Sequence, residues 1–321
     1  MSEARPIRDE DQRVGTTIDD AWTIERAIGV GATAVVYAAR HRSGNVAAMK
    51  ILRRDHRDDL DALARFVREA EVARKIRHPS IIEVWGLSTT DDGVPVIVME
   101  LLEGETLSQR LHRGPQPVGA AIALGIDILR GVAACHAQGV LHRDLKPSNV
   151  FVTTEGAAKL LDFGVARARD RIPTSRRMAI GTPAFMAPEQ ARGGAVDARA
   201  DVFCVGAILH TLITGTLPRR GDEERVLATA AREGVRPLAL AAPGVPLAVA
   251  EVVDKALSWS PESRWESATA FADALSAIDL TAVVSREQII TIPCVPIAMS
   301  ALQRNSTVPE VLPRRPPTRL R

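Results

Sequence analysis

Apolar and polar residues alternate from Ala21 onward in short runs: Thr23 to Ile28, Ala34 to Ala38 and Val46 to Leu52. Gly29-Val30-Gly31 and a polar stretch over 41–45 separate them, so the pattern predicts three antiparallel strands joined by turns. The period then changes. Leu63, Phe66, Val67, Ala70, Ala73 and Ile76 recur at helical spacing, which predicts an amphipathic helix over 61–76 that ends before His78-Pro79. Two more strands fit 81–88 and 94–100. From Thr106 the pattern is mainly helical. Segments 118–138 and 201–214 are apolar nearly all round, the mark of buried helices, and further helices fit 222–233, 248–259 and 267–278. The expected fold is α+β and bilobal: a small lobe over 22–102, with a five-stranded antiparallel sheet and one helix, and a larger, mainly helical lobe over 103–279. A cleft between two such lobes is a natural ligand site. Residues 1–21 read as a flexible leader, and 280–321 as a Pro- and Arg-rich disordered tail.

The 321 residues are 46% hydrophobic, enough for a sizeable core, and the net charge is only +2, which gives no support to nucleic-acid binding. Met1 to Asp20 contains no apolar run of the secretory kind. Ile289 to Leu302 is too short to span a bilayer and carries Pro293 and Pro296, so no membrane span is expected and a cytoplasmic location is. Cys135, Cys204 and Cys294 form no metal-ligand spacing; the first two lie in apolar helical runs and read as inert core residues.

The chemistry concentrates in His142-Arg143-Asp144-Leu145-Lys146-Pro147-Ser148-Asn149, followed by Asp162-Phe163-Gly164. Asp144 is suited to accept a proton from an incoming hydroxyl, and Lys146 to hold a transferring phosphate. Asn149 and Asp162 offer hard oxygen ligands to Mg²⁺, which takes few protein ligands. This is the set that phosphoryl transfer needs. Upstream, Gly29 and Gly31 lie between two strands and let backbone amides approach phosphates; Ala34 stands at the third small position of that loop. Lys50 ends an apolar strand, where a buried ammonium needs a partner, and Glu69 borders the apolar face of the helix 61–76 while Glu71 turns away. His142 reads as a packed residue rather than a catalyst.

Taken in order, the glycine loop, Lys50, Glu69, His142-Arg143-Asp144, Asp162-Phe163-Gly164, Ala187-Pro188-Glu189, Asp201 and Arg264 resemble a eukaryotic-type serine/threonine protein kinase of the bacterial branch, over about residues 22–279. The resemblance implies ATP in the cleft against Ile28, Gly29, Gly31, Val36, Ala48 and Lys50, with Mg²⁺ on the phosphates and transfer of the γ-phosphoryl group to protein hydroxyls. It implies that Glu100 and Leu102 form the hinge, Met99 lies behind the base and Glu103 near the ribose. It further implies a buried Glu189–Arg264 ion pair and a brace from Asp201 to the catalytic loop. Lys146 and Gly181-Thr182-Pro183-Ala184-Phe185-Met186 are similar to the serine/threonine form, with Thr182 bridging Asp144 and Lys146. Protein substrates, and the chain itself in a transient dimer, are the expected partners. Arg143 is placed to pair with an activation-loop phosphate, and Thr174 or Ser175, flanked by Arg171, Arg176 and Arg177, is the expected site. A signalling scaffold without activity would be favoured by loss of Lys50, Asp144, Asn149 or Asp162, and all four are present.

Overall fold

The computed structural model describes residues 13–162 and 183–279. Phe163, Gly164, Thr174, Ser175 and Thr182 therefore lie outside the described residues, as do 1–12 and the expected tail over 280–321.

The small lobe is one antiparallel sheet of six strands: β1 (Thr17–Ile18), β2 (Trp22–Val30), β3 (Ala34–His41), β4 (Val46–Leu52), β5 (Val84–Thr89) and β6 (Pro95–Met99), in the order β1-β2-β3-β4-β6-β5. This is one strand more than the hydrophobic pattern predicts. The extra strand, β1, falls in the stretch expected to be leader, and its Ile18 is fully buried. A two-residue strand in a polar segment is too short to show a period. The sheet curls until its two edges meet. Ser88 on β5 donates to Asp19 beside β1, and Arg13 pairs with Asp92 in the β5–β6 turn at 3.3 Å.

Cross-strand register sorts the side chains onto two faces. Ile24, Tyr37, Ala39, Ala47, Met49 and Ile51 fill the inside of the curl. Val36, Ala38, Ala48, Lys50, Ile97 and Met99 share the opposite face, with Val36 paired to Lys50 and Lys50 to Ile97. Helix α1 (Leu60–Ala73) begins at Asp59, whose side chain accepts from the Ala62 amide at 3.0 Å, and it buries Phe66, Ala70 and Ala73 against β5 and β6. It stops three residues before the predicted end, because Lys75 and Ile76 close tighter bonds to Val72 and Ala73.

The large lobe opens with β7 (Gly104–Thr106) and α2 (Leu107–Leu111), then α3 (Val118–Ala137) and the hairpin β8 (Val150–Thr153) and β9 (Ala158–Leu160). There follow α4 (Pro188–Ala191), α5 (Ala198–Thr214), α6 (Glu223–Arg232), α7 (Leu238–Ala241), α8 (Leu247–Ala256) and α9 (Ala268–Ser276). Strands β7, β8 and β9 form a second sheet that the pattern analysis does not resolve. Helix α3 is long and apolar enough to cross a membrane, yet half of that apolar window is buried, against α5 and α9. At Gly125 a Cβ would sit 2.6 Å from Leu209, so the glycine permits the close α3–α5 approach. The lobes are tied together by backbone bonds: Ile82 donates to the Leu160 carbonyl and the Leu160 amide to the Ser80 carbonyl, both at 2.9 Å.

Candidate active site

Lys50 sits on β4 among apolar neighbours, and two carboxylates answer its charge. Its Nζ lies 2.9 Å from Glu69 Oε1 on α1 and 2.8 Å from Asp162 Oδ1 after β9. Lys50 and Glu69 are largely buried, and Asp162 is half-exposed. Burial alone would lower the ammonium's pKa, but the charges of Asp162 and Glu69 outweigh it and hold the lysine protonated above its ordinary range. Burial likewise works to raise Asp162, and Lys50 overrides it, keeping that carboxylate ionised. Glu69 is left as the weaker acid: burial pushes it up to about 7, Lys50 pulls it back, and Asp162 beside it adds to the rise.

The catalytic loop is shaped by its own backbone and by α5. Arg143 has φ +61°, in the left-handed region that non-glycine residues rarely adopt. Buried Asp201 holds it there: Oδ2 accepts from the His142 amide at 2.8 Å and Oδ1 from the Arg143 amide at 2.9 Å. His136 Nε2 bonds the same carboxylate at 2.8 Å, a contact the sequence analysis does not foresee. Burial would raise the Asp201 pKa, but these bonds and the nearby histidines hold it low. Burial keeps His142 neutral, its pKa lowered, in accord with a packing role. Within the loop Lys146 Nζ is 3.0 Å from Asp144 Oδ2. Asn149 Nδ2 donates to the Asp144 carbonyl at 2.9 Å and to its Oδ2 at 3.2 Å. Both partners are acceptors, so the amide nitrogen must face them, and Asn149 Oδ1 is the atom left to hold a cation. With Asp162 this gives two hard oxygen donors, a set that fits Mg²⁺ and not a thiophilic metal.

The cleft face of the small lobe carries Val36, half-buried, and Ala48, buried beside buried Met99 on β6. Ile28 is exposed at the β2 end, next to Gly29, whose strand partner is Val36. The turn is closed by a bond of 2.9 Å from the Gly31 amide to the Ala34 carbonyl, and a Cβ on Gly31 would crowd that oxygen at 3.2 Å. Ala34 itself is the first residue of β3, buried, paired with Leu52 and not at positive φ. The position therefore needs a small residue and not a glycine.

Glu100, after β6, is anchored through its side chain: Oε1 accepts from Lys159 Nζ at 2.6 Å and from the Glu83 amide at 2.7 Å. Its own amide donates to the Glu83 carbonyl. Leu102 packs partly on the core, and exposed Glu103 accepts from the Thr154 amide through its carbonyl. Neither Lys159 nor Gln190 is foreseen from sequence. Gln190 accepts from the Ala187 amide and donates to the Arg143 carbonyl at 3.2 Å, linking α4 to the catalytic loop. Beneath α4, Arg264 meets Glu189 through two bonds of 2.7 and 2.8 Å, both side chains buried. The Cys135 thiol is pushed by burial up to about 12 and that of Cys204 well above the ordinary range, in keeping with inert core residues.

The protein kinase domain family matches residues 22–276. Among curated proteins, the chain is 37% identical over 259 residues to the serine/threonine-protein kinase PknB of Mycobacterium leprae, a match covering 78% of this chain and 42% of that protein. It is 36% identical over 285 residues to the serine/threonine-protein kinase pkn3 of Myxococcus xanthus, covering 84% and 52% respectively. A probable serine/threonine-protein kinase of Clostridium perfringens is 30% identical over 259 residues. The chain thus spans about half or less of the length of these relatives. Matched across both lobes and every element of the cleft, the chain belongs to the protein kinase domain family, alongside bacterial serine/threonine kinases.

Proposed function

We propose that the chain is a serine/threonine protein kinase that uses ATP and Mg²⁺ to phosphorylate protein hydroxyls, its own among them. The observation that carries the reading is Lys50 held between Glu69 and Asp162, because it joins β4, α1 and the end of β9 in one charged cluster at the cleft. Bound Mg·ATP would supply the transferable phosphoryl group and the cationic charge that offsets it. Lys50 binds phosphate oxygens, and Glu69 keeps its ammonium in position. Asn149 Oδ1 and the Asp162 carboxylate hold the metal. Asp144, its carboxylate oriented by Lys146 and Asn149, orients the acceptor hydroxyl and receives its proton. Lys146 meets the phosphoryl group in transfer. Ile28, Val36, Ala48 and Met99 enclose the base, the backbone at Glu100 and Leu102 bonds it, Glu103 lies by the ribose, and the amides at Gly29 and Gly31 cover the phosphates.

The acceptor on the chain itself is Thr174 or Ser175. Arg143 Nε is buried without a hydrogen-bond partner among the described residues, which supports pairing of that guanidinium with a phosphate. With ATP as donor, we assign the domain to the cytoplasm. The test is intact-mass and phosphopeptide analysis of purified protein incubated with Mg·ATP and casein, beside Asp144→Asn. Phosphate on Ser or Thr in the wild-type sample only is expected. No phosphate on chain or casein in either sample would overturn the reading.

A further inference from the structure

Arg219 follows the turn after α5 and is only 3% exposed. Its Nη1 donates to two backbone carbonyls of the segment before α4, Ala184 at 3.3 Å and Met186 at 2.9 Å. Its Nε and Nη2 are buried with no hydrogen-bond partner among the described residues. The guanidinium centre lies 5.4 Å from the Phe203 ring, a partial recompense for lost water. Arg264 packs on the same ring at 4.9 Å, but it also has the Glu189 carboxylate. Among the described residues no carboxylate forms an ion pair with Arg219. Burial lowers its pKa to about 10, with the charge of Glu233 acting the other way.

A buried cation without a carboxylate is a costly way to fill space, since an apolar side chain of similar volume would pack there with no charge to desolvate. What the arginine adds is a double tether on the described stretch before α4, where one turn over Pro183–Phe185 is followed by the Met186 amide bonding back to the Pro183 carbonyl. The tethered stretch leads directly into Ala187, whose amide is bonded to Gln190, and Gln190 reaches the Arg143 carbonyl of the catalytic loop.

We propose that Arg219 is a positioning residue for the protein substrate: by fixing the carbonyls of Ala184 and Met186 from below, it sets the surface on which a substrate backbone docks beside Asp144. The inference rests on the kinase reading above. It concerns the protein acceptor and not the nucleotide, because the groups assigned to the nucleotide and its metal lie on β2 to β6, just after β6, in the catalytic loop and after β9, and the two carbonyls Arg219 bonds belong to none of these.

The test compares wild type, Arg219→Met and Arg219→Lys with casein as acceptor, reading KM for casein, KM for ATP, kcat and the urea midpoint. Methionine keeps the volume and removes the tether; lysine keeps a charged donor. Arg219→Met is expected to raise the KM for casein about tenfold, the size of one or two lost hydrogen bonds. The KM for ATP and kcat at saturating casein should stay at wild-type values, with a urea midpoint no lower than wild type. Arg219→Lys should recover part of the casein KM. An unchanged KM for casein in Arg219→Met, or a parallel loss in both KM values and the midpoint, overturns the inference while an active wild type preserves the kinase reading. A wild type that transfers no phosphate overturns the reading and the inference together.

Discussion

Glu189 and Arg264 in the large lobe meet through two parallel bonds, and every remaining N–H of that guanidinium donates to a backbone carbonyl: Ser258, Trp259 and Arg199, at 2.8 to 3.0 Å. Lys50 in the small lobe is shared by two carboxylates through a single nitrogen, and one of them, Asp162, is half-exposed. Both centre on a largely buried cation, yet they are satisfied to different degrees. The large-lobe pair balances one charge with one and leaves no donor idle. The small-lobe cluster carries an excess negative charge, one carboxyl with a pKa near 7, and a cation suited to exchange partners when phosphate arrives. A site meant to bind a charged ligand keeps charge in reserve, whereas a structural pair spends all of it.

That contrast can be broken by substitution. Arg264→Met strands the Glu189 carboxylate in the interior and should cost about 3–5 kcal/mol, as removal of one partner of a buried pair does. Urea unfolding reads this directly, and a loss under about 1 kcal/mol would mean that the pair is not structural. The next effect is a pH dependence from Glu69. In the unfolded chain its carboxyl titrates at about 4.5, and in the folded chain burial raises it to about 7. The folded state then holds the proton more tightly, so this group's contribution to stability is complete below the unfolded value and is lost as pH rises through the folded one. Glu69→Gln should flatten the fall in stability between pH 4.5 and 7; identical urea midpoints against pH in both proteins would refute the assignment. The smallest effect is expected at the surface. Arg40 and Glu25 form an exposed pair across β2 and β3, and Arg40→Ala should change stability by about 0–1 kcal/mol in thermal unfolding.

The small-lobe cluster was legible in the sequence because its members announce themselves locally: a lysine at the end of an apolar strand, a glutamate at the edge of a helical stripe, an acid after a short strand. The catalytic loop was legible for the same reason, through residue types at fixed spacing. The strand β1 was not, since two residues carry no period, and the apolar pattern runs three residues past the end of α1 because Ile76 continues the stripe into a turn. His136, Lys159, Gln190 and Arg219 were invisible for another reason. Their roles come from partners 47 to 65 positions away for Gln190, Lys159 and His136, and 33 or 35 away for Arg219. An arginine under a loop looks, in one dimension, like any surface arginine.

The measurement closest to the central claim is the rate of phosphate transfer to casein by Lys50→Met beside wild type, with urea unfolding of the same preparations. The account predicts a transfer rate lower by about 10²-fold or more, the scale on which a positioned charge acts in catalysis, with an unfolding midpoint lowered less than in Arg264→Met and the protein still folded under assay conditions, since Asp162 is half-exposed and Glu69 can take a proton. Transfer that persists at the wild-type rate, or a loss that tracks unfolding of the protein, would contradict it.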